Sequence, residues 1–335
     1  MPDALPPIAA VVLARDRPAP TRATIDALLA QEPAPDLLVL VANEATPEVQ
    51  ELLEHAASGR PQVEIVRLGR NLGCAGGFEA GLAHVLARHE IELVCGFDDD
   101  ATPLPGCLNA LSHAASSLDR VAAVAAVAHD ADGTLAWPMH VWGETRPVTT
   151  VDEVHALARR RPTLPVMNTG WQALMFPVEV LRHHGNVWGE LFLQYEDIEL
   201  GMRLRRAGLS WYLVPEAECL HPAPPPSRKI SLFGRQIEVT SQSGAKEYLT
   251  LRNGLAVRSR YDGLRFWYGT LWFVLIRGLL SSLALDAPRL TALRHVFLRG
   301  VADAVRGRLG PPPPATAALR PQPPGGRRKR NMPQA

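Results

Sequence analysis

Between residues 8 and 100, short apolar runs alternate with amphipathic stretches, a pattern that restricts the chain to βαβ units around a mostly parallel sheet. Ile8 to Ala14, Leu37 to Ala42, Val63 to Leu68 and Ile91 to Phe97 are short enough to read as strands. Thr21 to Gln31, Glu48 to Ala57 and Gly73 to His89 read as the intervening helices. The fourth strand ends abruptly in Asp98, Asp99 and Asp100. Ligands of open α/β sheets sit at the carboxyl ends of strands, so chemistry is expected there.

Beyond this region, Leu104 to Leu118 reads as a helix and Val121 to Ala128 as a strand, and the stretch that follows, up to residue 165, has no assignable pattern. Next come a helix from Val178, a loop with Trp188, Phe192 and Tyr195, and a helix from Asp197 to Ala207 stopped by Gly208. A strand from Ser210 to Leu220 then ends at His221. Residues 246–308 read as helical, and the Pro-, Gly- and Arg-rich end from Gly310 is expected to be disordered.

With 35 Lys+Arg against 34 Asp+Glu, the chain lacks the cationic excess that phosphate-backbone binding needs, so nucleic acid is not an expected partner. The one basic cluster is Arg327, Arg328, Lys329 and Arg330. Cys74, Cys95, Cys107 and Cys219 are scattered singly, which suits a reducing compartment. Met-Pro-Asp followed by a short apolar run lacks the cationic start and long apolar centre of a signal peptide.

Three adjacent carboxylates at a strand end repel one another unless water or a cation neutralises them. Mg²⁺ or Mn²⁺ carrying nucleotide phosphates answers that demand, and a solvated turn capping the next helix is the alternative. Arg70 to Phe78 leads into a helix through Gly73, Gly76 and Gly77, where small residues let backbone or phosphate approach, or let the helix pack tightly. The spacing differs from a dinucleotide fingerprint. Glu196 and Asp197 open a helix at the positive end of its dipole, with Glu199 and Arg203 spaced as an i,i+4 pair. A carboxylate in that position caps the helix, and it can also accept a substrate proton.

Taken in chain order, Arg15, Asn43, Arg70-Asn71-x-Gly73-x-x-Gly76-Gly77-Phe78, the acidic triplet, Asn168-x-Gly170, Tyr195-Glu196-Asp197 and His221 resemble family 2 glycosyltransferases of the GT-A fold. The likeness covers about residues 8–222 and is greatest to bacterial rhamnosyl- and galactofuranosyl-transferases. It implies an inverting enzyme that moves a sugar from a nucleotide-diphospho-sugar to a glycan or lipid-linked glycan. Asp98, Asp100 and His221 would hold the metal, and Asp99 would support it or reach the ribose. Asp197, beside Glu196, would be the general base. Arg15 and Asn43 would line the nucleoside pocket, while Asn71, Gly73, Gly76 and Gly77 would shape the donor side. Where many members carry an aspartate before that asparagine, this chain has Ala42. Trp171 and Trp188 are candidate flat faces for the acceptor sugar.

The expected organisation is a catalytic α/β domain over 1–225, with a donor half at 1–103 and an acceptor half at 104–225. A helical extension at 226–309 and a disordered tail at 310–335 would follow. Trp267 to Leu285 approaches the roughly 20 residues of a membrane span, but Arg277 interrupts it. Its aromatics and flanking arginines suit a helix lying in a membrane interface, or one packed on the core. With the basic tail, this favours a cytoplasmic enzyme docked on an anionic inner leaflet. The rival readings are a non-catalytic nucleotide-binding or membrane-docking module, and a sugar-nucleotide pyrophosphorylase. The latter wants a Gly-rich loop where Ala14-Arg15-Asp16-Arg17-Pro18 stands.

Overall fold

The structure, a computed structural model, describes residues 5–222, 227–232, 235–240 and 242–321. Contacts divide the chain into two units, residues 1–224 and 225–335.

The first unit opens with β1 (Ile8–Ala14), α1 (Pro18–Leu29), β2 (Leu37–Asn43), α2 (Pro47–Ala57), β3 (Val63–Leu68), α3 (Gly73–Leu86) and β4 (Leu93–Asp98). β5 (Thr102–Pro103), α4 (Cys107–Ser117), β6 (Val121–His129), β7 (Thr134–Met139), β8 (Val148–Thr150), α5 (Val151–Ala158) and β9 (Leu164–Val166) follow. β10 (Gln172–Pro177), α6 (Val178–His184), α7 (Glu196–Arg206) and β11 (Ser210–Leu220) complete it.

One sheet runs β3-β2-β1-β4-β10-β6-β11-β5. Its first four strands are parallel; β1, β2 and β4 are apolar runs buried almost throughout, while the edge strand β3 carries Glu64 and Arg67. β10 then inserts antiparallel to both β4 and β6, so the sheet is mixed.

Glycine sets how closely α3 approaches this sheet. A Cβ at Gly81 would fall 2.5 Å from Val11 Cγ1 and 2.7 Å from Val41 Cγ2, and one at Gly77 would fall 2.3 Å from Leu13 Cδ1. Side chains there would lift the helix off β1 and β2. α7 ends as its sequence requires, with Gly208 at φ +78° and Leu209 N–H donating to Leu204 O at 3.1 Å.

The second unit holds a hairpin, β12 (Ser227–Leu232) and β13 (Arg235–Thr240), then α8 (Gly244–Tyr261), α9 (Leu271–Leu283), α10 (Arg289–Ala292), α11 (Arg299–Val305) and α12 (Pro314–Ala317). The wider turns Phe266–Thr270 and Leu293–Leu298 lead into α9 and α11. Leu251, Leu255, Phe266 and Val274 form its apolar centre, and α9 approaches α8 closely because a Cβ at Gly278 would meet Leu251 Cδ1 at 2.7 Å.

The fully buried Arg252 donates to Asn253 Oδ1 at 2.8 Å and Gly310 O at 2.7 Å, so two of its N–H groups are partnered inside the protein. Gly244 N–H donates to Leu319 O at 2.9 Å, and Thr316 is buried. The tail expected to be disordered from Gly310 is therefore ordered through residue 321. The basic cluster at 327–330 lies outside the described residues.

Candidate active site

The acidic triplet stands at the carboxyl end of β4, where a central parallel strand delivers it. Asp98 N–H donates to Trp171 O at 2.8 Å, tying the triplet to β10. A bulge puts Ala173 at φ +57° and turns Gln172 toward β4, where its amide donates to Asp98 Oδ2 at 3.0 Å. Gly170 leaves room for that amide, since a Cβ there would sit 2.7 Å from Gln172 Oε1.

β5 pairs with the end of β11, Thr102 opposite Leu220 and Pro103 opposite Cys219. This short ladder brings His221 beside the triplet, its Nε2 3.5 Å from Asp100 Oδ1. Ligand atoms of Asp98, Asp100 and His221 all lie within 4.8 Å of one another. His221 Nδ1 is 2.8 Å from Pro222 O, so Nδ1 donates there and Nε2 is the ring atom that faces the carboxylates. The carboxylates of the triplet repel one another there. Burial foremost, and then the charges of Asp100 and Asp99, push the Asp98 carboxyl up to about 8. A hard divalent ion with oxygen and imidazole ligands fits this donor set.

Asp99 does not join the cluster. It and Asp100 both pair with the guanidinium of Arg17, at the start of α1. Burial pushes Asp99 up, Arg17 opposes that rise, and the carboxyl settles at about 6.

Glu196 and Asp197 open α7 after a loop under backbone strain, with Phe192, Gln194 and Tyr195 at φ +68°, +71° and +75°. Arg203 fixes this helix, donating to both Glu199 oxygens at 3.0 and 2.9 Å and to the carbonyls of His184, Gly185 and Asn186. Asp197 is half-buried and accepts Ile198 N–H at 2.8 Å, with Asn168 beside it favouring the carboxylate. Glu196 is buried. The Cys74 thiol and Trp171 indole N–H favour its charged form without meeting hydrogen-bond geometry. Burial raises both carboxyls, and the charge of Asp197 adds to the rise at Glu196. Glu196 in turn adds to the rise at Asp98, so α7 and β4 face one site.

The other expected site positions are placed as follows. Trp171 is not an open platform: it is 2% exposed and stacks on Phe78 at 4.0 Å, with no room at Gly96 for a side chain between them. Trp188 is half-buried, its indole N–H on Glu190 Oε2 at 3.1 Å. Asn43 is buried and spends its side chain on the loop before α3, accepting Leu72 N–H at 2.8 Å and donating to Gly73 O at 3.0 Å and Asn71 Oδ1 at 3.3 Å. Gly76 and Gly77 are buried packing positions that set where α3 lies. Arg15 is exposed and pairs with Asp16 at 3.3 Å, while Arg17, two residues on, holds the triplet. Arg17 and Gln172 escaped the sequence reading. A guanidinium just past a strand end opposite three carboxylates was the signal available for the first.

Gly73 cannot be replaced. Its φ is +72°, its N–H donates to Asn71 Oδ1 at 2.8 Å, and a Cβ would fall 1.9 Å from Phe192 O. Gly73→Ala should cost on the order of 3 kcal/mol, read as a lower midpoint in urea. A midpoint matching wild type would show that this contact does not hold the strained loop.

A family model described as "Glycosyltransferase like family 2" matches residues 6–241. Galactofuranosyltransferase GlfT1 of Mycolicibacterium smegmatis is 28% identical over 277 residues, covering 78% of this chain and 89% of that protein. The protein of the same name from Mycobacterium tuberculosis is 29% identical over 281 residues, covering 80% and 88%. GalNAc-T7, solved with UDP, GalNAc and Mn²⁺, superposes with a TM-score of 0.57 at 15% identity over 77% of this chain and 48% of its own. Mannosyltransferase PcManGT from Pyrobaculum calidifontis, in complex with GDP-Man and Mn²⁺, gives 0.52 at 15% identity over 91% and 82%. At that identity the likeness is one of fold, the GT-A fold. The match across residues 6–241, on a sheet that gathers its acidic groups at one end, places the chain in the glycosyltransferase-like family 2, as a nucleotide-sugar glycosyltransferase.

Proposed function

We propose that the protein is an inverting, metal-assisted transferase that moves a sugar from a nucleotide-diphospho-sugar to a hydroxyl of a glycan or lipid-linked glycan. The observation that carries this reading is the convergence of Asp98, Asp100 and His221 at one end of the sheet, with Glu196, the neighbour of Asp197, near enough to act on Asp98. Asp98, Asp100 and His221 would hold Mg²⁺ or Mn²⁺, which when bound supplies positive charge for the departing diphosphate. Asp197 accepts the proton of the acceptor hydroxyl as its oxygen attacks the anomeric carbon opposite the leaving group. The bond to the diphosphate breaks in the same displacement, so no protein nucleophile is required and the configuration inverts. Gln172 and Arg17 keep the carboxylates apart and aimed. Trp188 is the remaining aromatic candidate for the acceptor sugar.

The relatives named galactofuranosyltransferase make a galactofuranosyl group the first donor to try. A panel of nucleotide-sugars with Mn²⁺ should show one donor that raises the melting temperature and is consumed when acceptor is added. Binding with no transfer to any glycan would instead favour a non-catalytic nucleotide-binding module.

We further infer that the second unit docks on an anionic membrane surface from the cytoplasmic side. Phe266–Leu283 is long and apolar enough to cross a membrane, and only 22% of it is buried. Trp267, Tyr268, Trp272 and Phe273 are all exposed, next to Arg265 and Arg277, an amphipathic aromatic and cationic face suited to the interface. Full-length protein should float with anionic liposomes at low salt and stop floating in a Trp267→Ala/Trp272→Ala variant. Protein that stays entirely soluble would overturn this part.

A further inference from the structure

Arg17 is the one guanidinium paired with the acidic triplet among the described contacts, and the geometry of that pairing is specific. Its Nη1 meets Asp100 Oδ2 and its Nη2 meets Asp99 Oδ1, while Asp100 Oδ1 looks the other way, toward His221 Nε2 at 3.5 Å. Asp100 is therefore shared between a guanidinium on one oxygen and the candidate cation position on the other. A divalent ion bound there would lie one carboxylate away from a like charge, and each would weaken the other's hold on Asp100.

Arg17 is anchored by its backbone and half in solvent at its side chain. Its backbone is pinned, since its carbonyl accepts Thr21 Oγ1 at 2.6 Å and Thr21 N–H at 3.1 Å. Its side chain is 47% exposed and, among the described residues, its ion pairs are with the two aspartates. The segment it would leave stays in place without it: Thr24 Oγ1 donates to the main-chain carbonyl of Asp99 at 3.2 Å, and Asp100 Oδ1 keeps His221 Nε2 at 3.5 Å. Charge balance gives the motion a direction. Arg17 neutralises the triplet when no ion is bound. An ion takes over that task, and an arriving diphosphate brings new negative charge to the same rim.

We propose that Arg17 is the resident counter-ion of the metal site, yielding Asp100 to the divalent ion and then turning its guanidinium to the donor's diphosphate. This rests on the metal-dependent reading above and adds a donor-binding residue that swaps partners. A planar two-pronged guanidinium suits either partner, a carboxylate pair or a diphosphate.

The test uses full-length wild type, Arg17→Gln and Arg17→Lys, first titrated with Mn²⁺ alone by electron paramagnetic resonance. UDP and GDP are then titrated by calorimetry at saturating Mn²⁺. Arg17→Gln should bind Mn²⁺ alone about tenfold more tightly, because a competing charge is gone. Whichever diphosphate wild type binds should lose about tenfold in affinity in that variant. Arg17→Lys keeps the charge without the fork, should fold in any case, and should fall between the two on both readouts. Mn²⁺ binding that is weakened or unchanged in Arg17→Gln overturns the counter-ion role, as does unchanged diphosphate affinity for the second role. Wild type that binds no Mn²⁺ overturns the metal reading itself, a different failure from either.

Discussion

Asp197→Asn should lose on the order of 10³-fold in kcat while still binding Mn²⁺ and nucleoside diphosphate as wild type does. The substitution preserves shape, and the Asn side-chain oxygen can still accept the Ile198 N–H that Asp197 accepts at 2.8 Å. It removes only basicity, from a carboxyl that burial raises toward neutrality. A base near the working pH transfers protons most effectively, so the structural strain before α7 has a use in holding that carboxyl half out of water. Single-turnover transfer with a fixed donor separates the steps. A variant as active as wild type would remove Asp197 from the chemistry, and one that no longer binds diphosphate would make it part of the donor site instead.

Asp100→Ala should weaken Mn²⁺ binding by at least about 100-fold and abolish metal-dependent nucleotide binding with it. The loss has two sources, a missing ligand and an Arg17 left with Asp99 alone. Wild type supplies a pH signature for the same site. Asp98 holds its proton up to about 8, and the ion must displace that proton, so apparent Mn²⁺ affinity should rise as pH increases toward 8 and level off above. Below that point each pH unit should change affinity about tenfold for one proton released.

The sign for folding runs the other way in metal-free protein. The native state keeps a proton that an unfolded Asp, with its ordinary value of 3.8, gives up. Its stabilising contribution is therefore complete below pH 4 and is lost as pH rises toward 8. Asp99 adds to this between 3.8 and about 6. Melting temperatures of metal-free protein that climb between pH 5 and 8 would contradict the assignment.

β1, β2 and β4 were legible because each is buried almost throughout and reads as a continuous apolar run; β1 and β3 fall where the sequence puts them, β3 as an edge strand carrying Glu64 and Arg67. Residues 129–165 were not legible, because β8 and β9 are three residues each and β7 exposes half its length. β10 is disguised by the bulge at Ala173, which breaks its alternation. The triplet announced itself as charge at the end of an apolar run. What the sequence could not reveal is which way a side chain faces. Asn43 stands at a strand end suited to a ligand, and its side chain turns inward to the loop before α3. Arg15 and Arg17 differ by two positions, and only the start of α1 decides which of them meets the carboxylates.

The pairing of β5 with β11 is only two residues long, yet it joins the segment after Asp100 to the segment before His221. An ion gripped by both ends would act as a cross-link closing a circuit that contains β6 through β11. Closing so long a circuit removes much conformational freedom from the unfolded chain. Loading the site should then slow amide exchange along the far rim of the sheet, in strands that never touch substrate, so the ion would serve as a fastener as well as a reagent.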